Sequence, residues 1–454
     1  MGSHQQGARE EWALNLSPAT NLSKAGIPAL LTIQASFMRQ SALHPPKSFM
    51  EGNEMAKVSM IRWLALGMAL ALGAPASAQQ APIKIGELNS YARWAAFTVP
   101  YRNGWQLALD EINAKGGVLG RKIEIISRED GATTGDATRV ADELVTREGV
   151  SLLFGSFLSN VGVAMADYAN QKKIVYVAAE PLTDAITMAQ GNRYTFRVRP
   201  SNYMQVGMLV EQAKASGAKR WAIVAPNYEY GQSAAQVFKR LIQERVPGAE
   251  IVAEQYPALG KIEAGATVSA LEQAKPDGIF NVLFGPDLTQ FVREGNTRGL
   301  FEDKSILSLL TGEPEWLLPL KDEVPEGWTV TGYPWDEITE PKHKAFVDAY
   351  RAKFNETPRL GSLLGYMVVY MIRDTIERSG SAESDALVKA FQDAKFDTVI
   401  GPVTMRGIDH QASMGAWVGK LVLKGATGGM TDWKYHDGTS FLPTEAEVKA
   451  ARKE

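Results

Sequence analysis

From residue 82 onward, short runs rich in Ile, Val, Leu and Phe alternate with stretches of helical periodicity, and this alternation limits the possible folds more than any other feature. Residues 83–88 read as a strand and 98–115 as a helix. Within that helix Trp105, Ala108, Leu109 and Ile112 recur at i, i+3, i+4 and i+7, which sets them on one buried face. Gly116 and Gly117 end it, because glycine takes the left-handed cap without steric cost. Further strands are expected at 123–127, 151–155, 174–178, 194–198, 221–225, 251–255, 278–283, 305–310 and 328–332, with helices such as 135–147 between them. Strands separated by helical segments of about 10–15 residues pair in parallel through right-handed crossovers. About ten strands exceed one ordinary open sheet. The expected fold class is therefore α/β, with two Rossmann-like doubly wound domains. After Tyr333 the pattern turns helical, at 343–354, 360–379 and 384–394, before short β pieces at 403–405 and 416–422. No long Gly/Ser linker separates the halves, so short hinge crossovers must join them.

Composition narrows the function. The chain of 454 residues carries 48 Lys+Arg against 51 Asp+Glu, a net charge of −3. It offers no basic excess to neutralise phosphates, which argues against nucleic-acid binding. There is no cysteine, so disulfides, thiolate nucleophiles and zinc–cysteine or iron–sulfur sites are excluded. No G-x-S-x-G, H-E-x-x-H or P-loop occurs, and Gly116-Gly117-Val-Leu-Gly120 has the wrong spacing to cradle phosphate. His343, His410 and His436 are far apart in sequence, so no local metal-ligand spacing is visible. Neither a metal nor a cofactor is expected, and binding is favoured over catalysis.

Near the N-terminus, Lys57 and Arg62 precede the apolar stretch Trp63–Gly73, and Ala76-Ser-Ala78 precedes polar Gln79-Gln80. A basic segment, a short apolar core and an Ala-x-Ala site predict a secretory signal at 55–78, cleaved after Ala78. The core is too short for a transmembrane span of about 20 residues. Residues 1–54, upstream of that signal, are read as a mis-called start or an appended sequence. The mature product is expected to be exported, periplasmic and, without a cysteine after the cleavage site, not a lipoprotein.

The segments Ile83-Lys-Ile-Gly-Glu-Leu88, Gly104-Trp-Gln-Leu-Ala-Leu-Asp-Glu-Ile-Asn113, Phe154-Gly-Ser-Phe-Leu-Ser159, Tyr194-Thr-Phe-Arg-Val-Arg-Pro200, Asn227-Tyr-Glu-Tyr-Gly231, Tyr350-Arg-Ala-Lys-Phe354 and Gly401-Pro402 follow one another in a telling order. In that order the chain resembles type I periplasmic substrate-binding proteins of ABC importers, the leucine/isoleucine/valine-binding family, over nearly all of 82–420. The resemblance implies two domains joined by three hinge crossovers that close on a ligand, one formed by 82–200 with 333–404 and the other by 201–332 with 405–454. It implies a small-molecule ligand and an inner-membrane ABC permease as partners, and a monomer.

The same resemblance assigns candidate site residues. Phe97 matches an aromatic wall of the side-chain pocket, the alternative being core packing. In the same loop, Tyr91 and Arg93 are candidates, Arg93 as a fork for an acidic ligand or as a solvated side chain. Leu158 and Ser159 match the pair that takes a ligand carboxylate at a helix N-terminus, and a plain helix cap is the alternative. Thr183 would complete that carboxylate site, while Glu180 is a charge where the family pattern has small residues. Tyr230 matches a tyrosine that covers the ligand on closure, and Phe284 an aromatic of the next cleft loop. Glu313 matches the acid that binds a ligand ammonium. The implied function is capture of an amino acid-like solute for an ABC permease. Alternatives are a receptor for a small aromatic acid or an amide or urea-like compound, a sensor of the same fold, and an exported carboxylate hydrolase.

Overall fold

The computed structural model describes residues 80–452. The signal segment 55–78 and the preceding residues 1–54 lie outside the described residues. Among those described, no helix is long and apolar enough to cross a membrane.

Two sheets organise the chain. The first holds five parallel strands in the order β2 (Ile123–Glu129), β1 (Ile83–Asn89), β3 (Leu153–Gly155), β4 (Tyr176–Ala178) and β5 (Thr195–Arg197). The second runs β14 (Thr427–His436), β13 (Ala416–Lys424), β10 (Thr329–Gly332), β9 (Ser305–Gly312), β8 (Gly278–Asn281), β6 (Arg220–Val224) and β7 (Glu250–Gln255). Its strands from β6 to β10 are parallel, and the β13–β14 hairpin adds an antiparallel edge. A ribbon of β11 (Lys395–Thr398) and β12 (Gly401–Thr404) stands apart from both. Inner strands such as β8 and β3 are buried throughout because helices cover both faces of a parallel sheet.

The chain passes between the sheets three times: after β5, after β10, and between β12 and β13. At the first and third passages the two crossing segments lie side by side. Arg197 N–H donates to the His410 carbonyl and Ala412 N–H to the Arg197 carbonyl, both at 2.9 Å. The buried Arg197 guanidinium binds Gln411 Oε1 at 2.5 Å and Thr187 Oγ1 at 2.9 Å. A buried guanidinium holding several acceptors ties the crossing segments where they enter each domain.

The helix expected from Thr98 begins earlier, spanning Ala95–Ala114, with Trp105, Ala108 and Ile112 buried and Leu109 half-buried. Gly116 and Gly117 have φ of 106° and 84°. The helix Leu360–Ser379 packs along Ala95–Ala114 at backbone distance. A Cβ on Gly104 would lie 2.0 Å from the Ser362 carbonyl oxygen, and one on Gly365 would lie 2.2 Å from that of Tyr101. Only glycine permits this approach. The sequence pattern does not announce strands β11 and β14. β14 carries Gly428, Gly429 and alternating polar residues, and it is held by its pairing with β13 more than by its own propensity.

Candidate functional site

In each sheet the winding reverses at one point, between β1 and β3 in the first and between β6 and β8 in the second. Loops leaving the carboxyl ends of such neighbouring strands diverge and open a crevice. Here the two crevices face one another, and one narrow cavity of about 20 Å³ lies between them. Phe97, Phe157, Ser159, Glu180 and Leu182 come from segments that follow strands of the first sheet, and Gly361 from the helix packed on Ala95–Ala114. Tyr228, Tyr230, Phe284, Leu310, Glu313, Glu315 and Trp316 come from strands of the second sheet or the segments after them, and Arg199 enters from the crossover after β5.

Helix starts deliver most of these side chains. Tyr228, Phe284 and Glu313 are the N-cap residues of Glu229–Arg245, Gly285–Thr297 and Pro314–Leu320, and Ser159 is the first residue of Ser159–Lys172. Leu310 adopts φ of 66°, within a register shift between β9 and β10. A leucine in the left-handed region is a sterically costly conformation that the surroundings must enforce. Thr331 Oγ1 accepts from Leu310 N–H at 2.8 Å, and the Leu310 carbonyl accepts from Glu313 N–H at 2.9 Å. The bend thus turns the chain so that Leu310 and Glu313 both face the cavity.

One part of the wall is aromatic. Phe97 stacks on Phe157 (centroids 5.4 Å apart) and on Trp316 (4.1 Å). Phe284 lies edge-on to Trp316 at 5.5 Å, to Tyr230 at 5.8 Å and to Tyr228 at 6.2 Å. Another part of the wall is charged and buried. Arg199 and Glu313, both buried, form an ion pair at 2.5 Å, and Trp316 Nε1 donates to the other Glu313 oxygen at 3.1 Å. Glu315 Oε1 accepts from Gly361 N–H at 3.0 Å, while its buried Oε2 has no protein partner. Asn89 Nδ2 donates to Glu180 at 3.4 Å, a long contact.

Burial pushes the Glu180 carboxyl up to about 8, against the pull of Arg199 and Asn89 and with the help of Glu315 and Glu313. Burial also raises Glu313 and Glu315, in both cases against the attraction of Arg199. For Arg199, burial favours the neutral form, but Glu313, Glu180 and Glu315 outweigh it and hold the guanidinium charged. Three buried carboxyls therefore share one cation, and burial drives them toward the protonated form.

Of the ten residues singled out from the sequence, Phe97, Ser159, Glu180, Tyr230, Phe284 and Glu313 line the cavity. The other four lie elsewhere. Tyr91 turns away, its hydroxyl donating to Glu87 at 2.9 Å. Arg93 is exposed and lies beside the Trp94 ring. Leu158 is the buried N-cap residue of its helix. The Thr183 hydroxyl donates to Glu229 Oε1 at 2.6 Å, at the start of a second-domain helix. Ser159 Oγ accepts from the backbone N–H groups of Leu182 at 3.1 Å and Thr183 at 3.3 Å. The Leu182 and Thr183 N–H groups and the Thr183 hydroxyl are thus engaged within the chain, while the Ser159 hydroxyl, an acceptor in both contacts, keeps its own proton to donate.

Sequence reading passes over Phe157, Leu182, Arg199, Tyr228, Leu310, Glu315, Trp316 and Gly361. Arg199 leaves a signal. Arg197 and Arg199 alternate on an otherwise apolar segment and so share a face, and two arginines on the buried side of a strand call for buried carboxylates.

Residues 82–427 match the family described as periplasmic binding protein. The chain is 28% identical over 347 residues to Leu/Ile/Val-binding protein homolog 7 of Brucella abortus, spanning 72% of this chain and 84% of the relative. It is 24% identical over 319 residues to the leucine-, isoleucine-, valine-, threonine- and alanine-binding protein of Pseudomonas aeruginosa, spanning 69% and 82%. Among solved structures, a solute-binding protein of an ABC transporter from Rhodopseudomonas palustris, in complex with 3,4-dihydroxybenzoic acid, aligns with a TM-score of 0.71 at 21% identity, over 79% of this chain and 98% of that one. The leucine-, isoleucine-, valine-, threonine- and alanine-binding protein of Brucella ovis, in a closed conformation, aligns with a TM-score of 0.72 at 18% identity, over 82% and 98%.

Proposed function

The chain belongs to the periplasmic binding protein family, and from that premise we propose that it captures a small amino acid-like solute between its two domains and delivers it to an ABC permease. The observation that carries this reading is the buried cavity at the facing switch points, walled by aromatic rings and by buried charge from both domains. Pockets of this kind, mostly apolar with a few fixed polar groups, take small organic ligands. The family places the protein in the periplasm. We assign its export to the 55–78 segment, with a mature N-terminus at Gln79, and read the receptor as a monomer and not as an enzyme. We assign 82–200 with 333–404 to one domain and 201–332 with 405–454 to the other. The sheet membership of β1–β5 and the packing of Leu360–Ser379 on Ala95–Ala114 support this division. Phe97, Ser159, Glu180, Tyr230, Phe284 and Glu313 are the sequence-derived residues we retain for the ligand.

Capture works as a two-state trap. A ligand that touches both domains favours the closed state by its difference in affinity for the two states. Calorimetric screening of leucine, phenylalanine, benzoate and simple amides, followed by small-angle scattering on whatever binds, tests it. Binding with a smaller radius of gyration and no turnover supports the receptor reading. Turnover of the bound compound, or binding with an unchanged scattering curve, would replace it with a hydrolase or a rigid pair of domains.

A further inference from the structure

A second hollow lies away from the cavity between the crevices. It is a groove of about 400 Å³ bounded by the end of Ala95–Ala114, the helices Pro341–Phe354 and Leu360–Ser379, and β11. Phe97, near the start of Ala95–Ala114, faces the cavity, and Glu111 stands about 21 Å further along that helix, at about 1.5 Å per residue. The groove and the cavity share no lining residue. Phe346, Met367, Met371 and Phe396 form an apolar floor, and methionine adapts its packing to irregular shapes. Most of the charge around the groove is already paired, Lys342 with Asp397, and Arg373 with Asp374 and Glu377 at 2.8 and 3.5 Å. Two groups stay open. The Tyr366 and Tyr370 hydroxyls both donate to Glu111 Oε2, at 2.7 and 2.6 Å, which fixes the carboxyl and leaves Oε1 without a hydrogen bond among the described residues. Burial, with Glu111 beside it, pushes the Tyr370 hydroxyl up to about 12 and raises Tyr366 further, so both keep the proton they donate. Lys115 is exposed, and its ammonium has no partner among the described residues. Side chains at i and i+4 leave one helix face about 5–6 Å apart, so an open acceptor and an open cation stand side by side above the apolar floor.

We propose that this groove is a second solute site, separate from the cavity, and that it takes a free α-amino acid with an apolar side chain. The ammonium sits on Glu111 Oε1, the carboxylate on Lys115 Nζ, and the side chain over Met367 and Met371. A zwitterion meets both open groups, whereas an amine or an acid alone meets one. The volume falls in the range of small-molecule sites, about 300–1,000 Å³. The assignment does not depend on the receptor reading, because no group of the cavity takes part in it.

Met367 and Met371 give a local readout, since no methionine lines the cavity. With isotope-labelled methionine methyl groups followed by NMR, and the two signals assigned through Met367→Leu and Met371→Leu, leucine and phenylalanine are titrated into the purified protein. At least one of them is expected to shift both methyl signals saturably. It should bind about 10-fold tighter than its amine (3-methylbutylamine or phenethylamine) and its acid (4-methylpentanoate or 3-phenylpropionate), because each analogue lacks one charge-assisted hydrogen bond. Glu111→Gln keeps an acceptor for the two tyrosines, and Lys115→Met keeps the apolar stem. Each should weaken the amino acid about 10-fold, with a thermal melt showing that it folds. No shift of either methyl by either amino acid overturns the site. Full affinity in both variants would mean that the shifts report filling of the cavity through the helix Leu360–Ser379, and overturns it equally. Full affinity in one variant removes that residue and with it the zwitterion, as would an amine or an acid that binds as tightly as its amino acid.

Discussion

Arg199 and Glu313 pair at 2.5 Å with both side chains buried, although one leaves the last strand of the first sheet and the other caps a helix of the second domain. Removing water from both charges costs several kcal/mol, which the pair recovers only through close geometry and added hydrogen bonds. Trp316 Nε1 supplies one such bond to Glu313. Arg199 also faces Glu180 and Glu315, so it holds down the energy of three carboxyls at once.

Arg199→Met should therefore destabilise the protein by about 3–5 kcal/mol at pH 8, the usual cost of stranding a buried charge. The loss should shrink toward pH 5. There the carboxyls, already raised by burial, take up protons and no longer need the cation. Urea denaturation of both proteins at the two pH values checks this, and an equal loss at both would mean that Arg199 acts through packing alone.

Glu180→Gln should do the opposite. The Glu180 carboxyl is raised from its ordinary value of 4.5 to about 8, chiefly by burial. A carboxyl raised on folding penalises the folded state once the unfolded chain ionises it. The penalty begins above about pH 4.5, grows with pH and is complete above about pH 8. Replacing it with Gln should raise stability at pH 7 by about 1–4 kcal/mol, since each tenfold change in a proton's affinity corresponds to about 1.4 kcal/mol, with little change at pH 4. Thermal melts across pH 4 to 8 without ligand would show the two curves separating as pH rises. Parallel curves would mean that Glu180 does not carry this penalty. An acid kept at a cost to stability on a cavity wall is better explained by a ligand than by folding.

Gly104→Ala and Gly365→Ala should each destabilise by about 1–3 kcal/mol, the range for overpacking. Each added methyl meets a backbone carbonyl of the neighbouring helix, at 2.0 and 2.2 Å, and a main-chain atom cannot step aside as a side chain can. Guanidinium denaturation reads this directly. Losses of only a few tenths of a kcal/mol would show that the two helices part without cost.

The fold is largely legible because a buried parallel strand and an amphipathic helix write different periods into a sequence. The helix 360–379 can be read to its ends, since apolar positions from Leu360 to Ile376 keep a helical period and Gly380 closes it. β14 is not legible, because its glycines and charges carry no strand pattern and its partner β13 supplies the order. At the site, side chains that closely follow strands, such as Phe284 after β8, can be placed by position alone. Glu315 lies two residues beyond Glu313, and which of the two acids has a free oxygen depends on Arg199 and Trp316 in three dimensions. The bend at Leu310 leaves no trace, since nothing in Ser-Leu-Leu-Thr marks a leucine for positive φ.

Thr183 poses the last test, because its hydroxyl reaches across to the other domain instead of lining the cavity. It donates to Glu229 Oε1 at 2.6 Å, and beside it the Ser233 hydroxyl donates to Asp184 Oδ2 at 3.1 Å. Bonds between domains at the rim stabilise the closed state without touching the ligand. They raise affinity only as far as they shift the balance toward closure. Thr183→Val keeps the shape and removes the donor, so it should weaken ligand binding about 3- to 10-fold, the worth of one partly buried hydrogen bond, through faster dissociation. Glu229→Gln should have a similar effect, and the double variant should be little worse than either, since both break one contact. If instead Thr183 held an anionic group of the ligand, Glu229→Gln would leave affinity unchanged and the two losses would add. Stopped-flow dissociation rates for the four proteins separate the two cases, and additive losses would remove the latch.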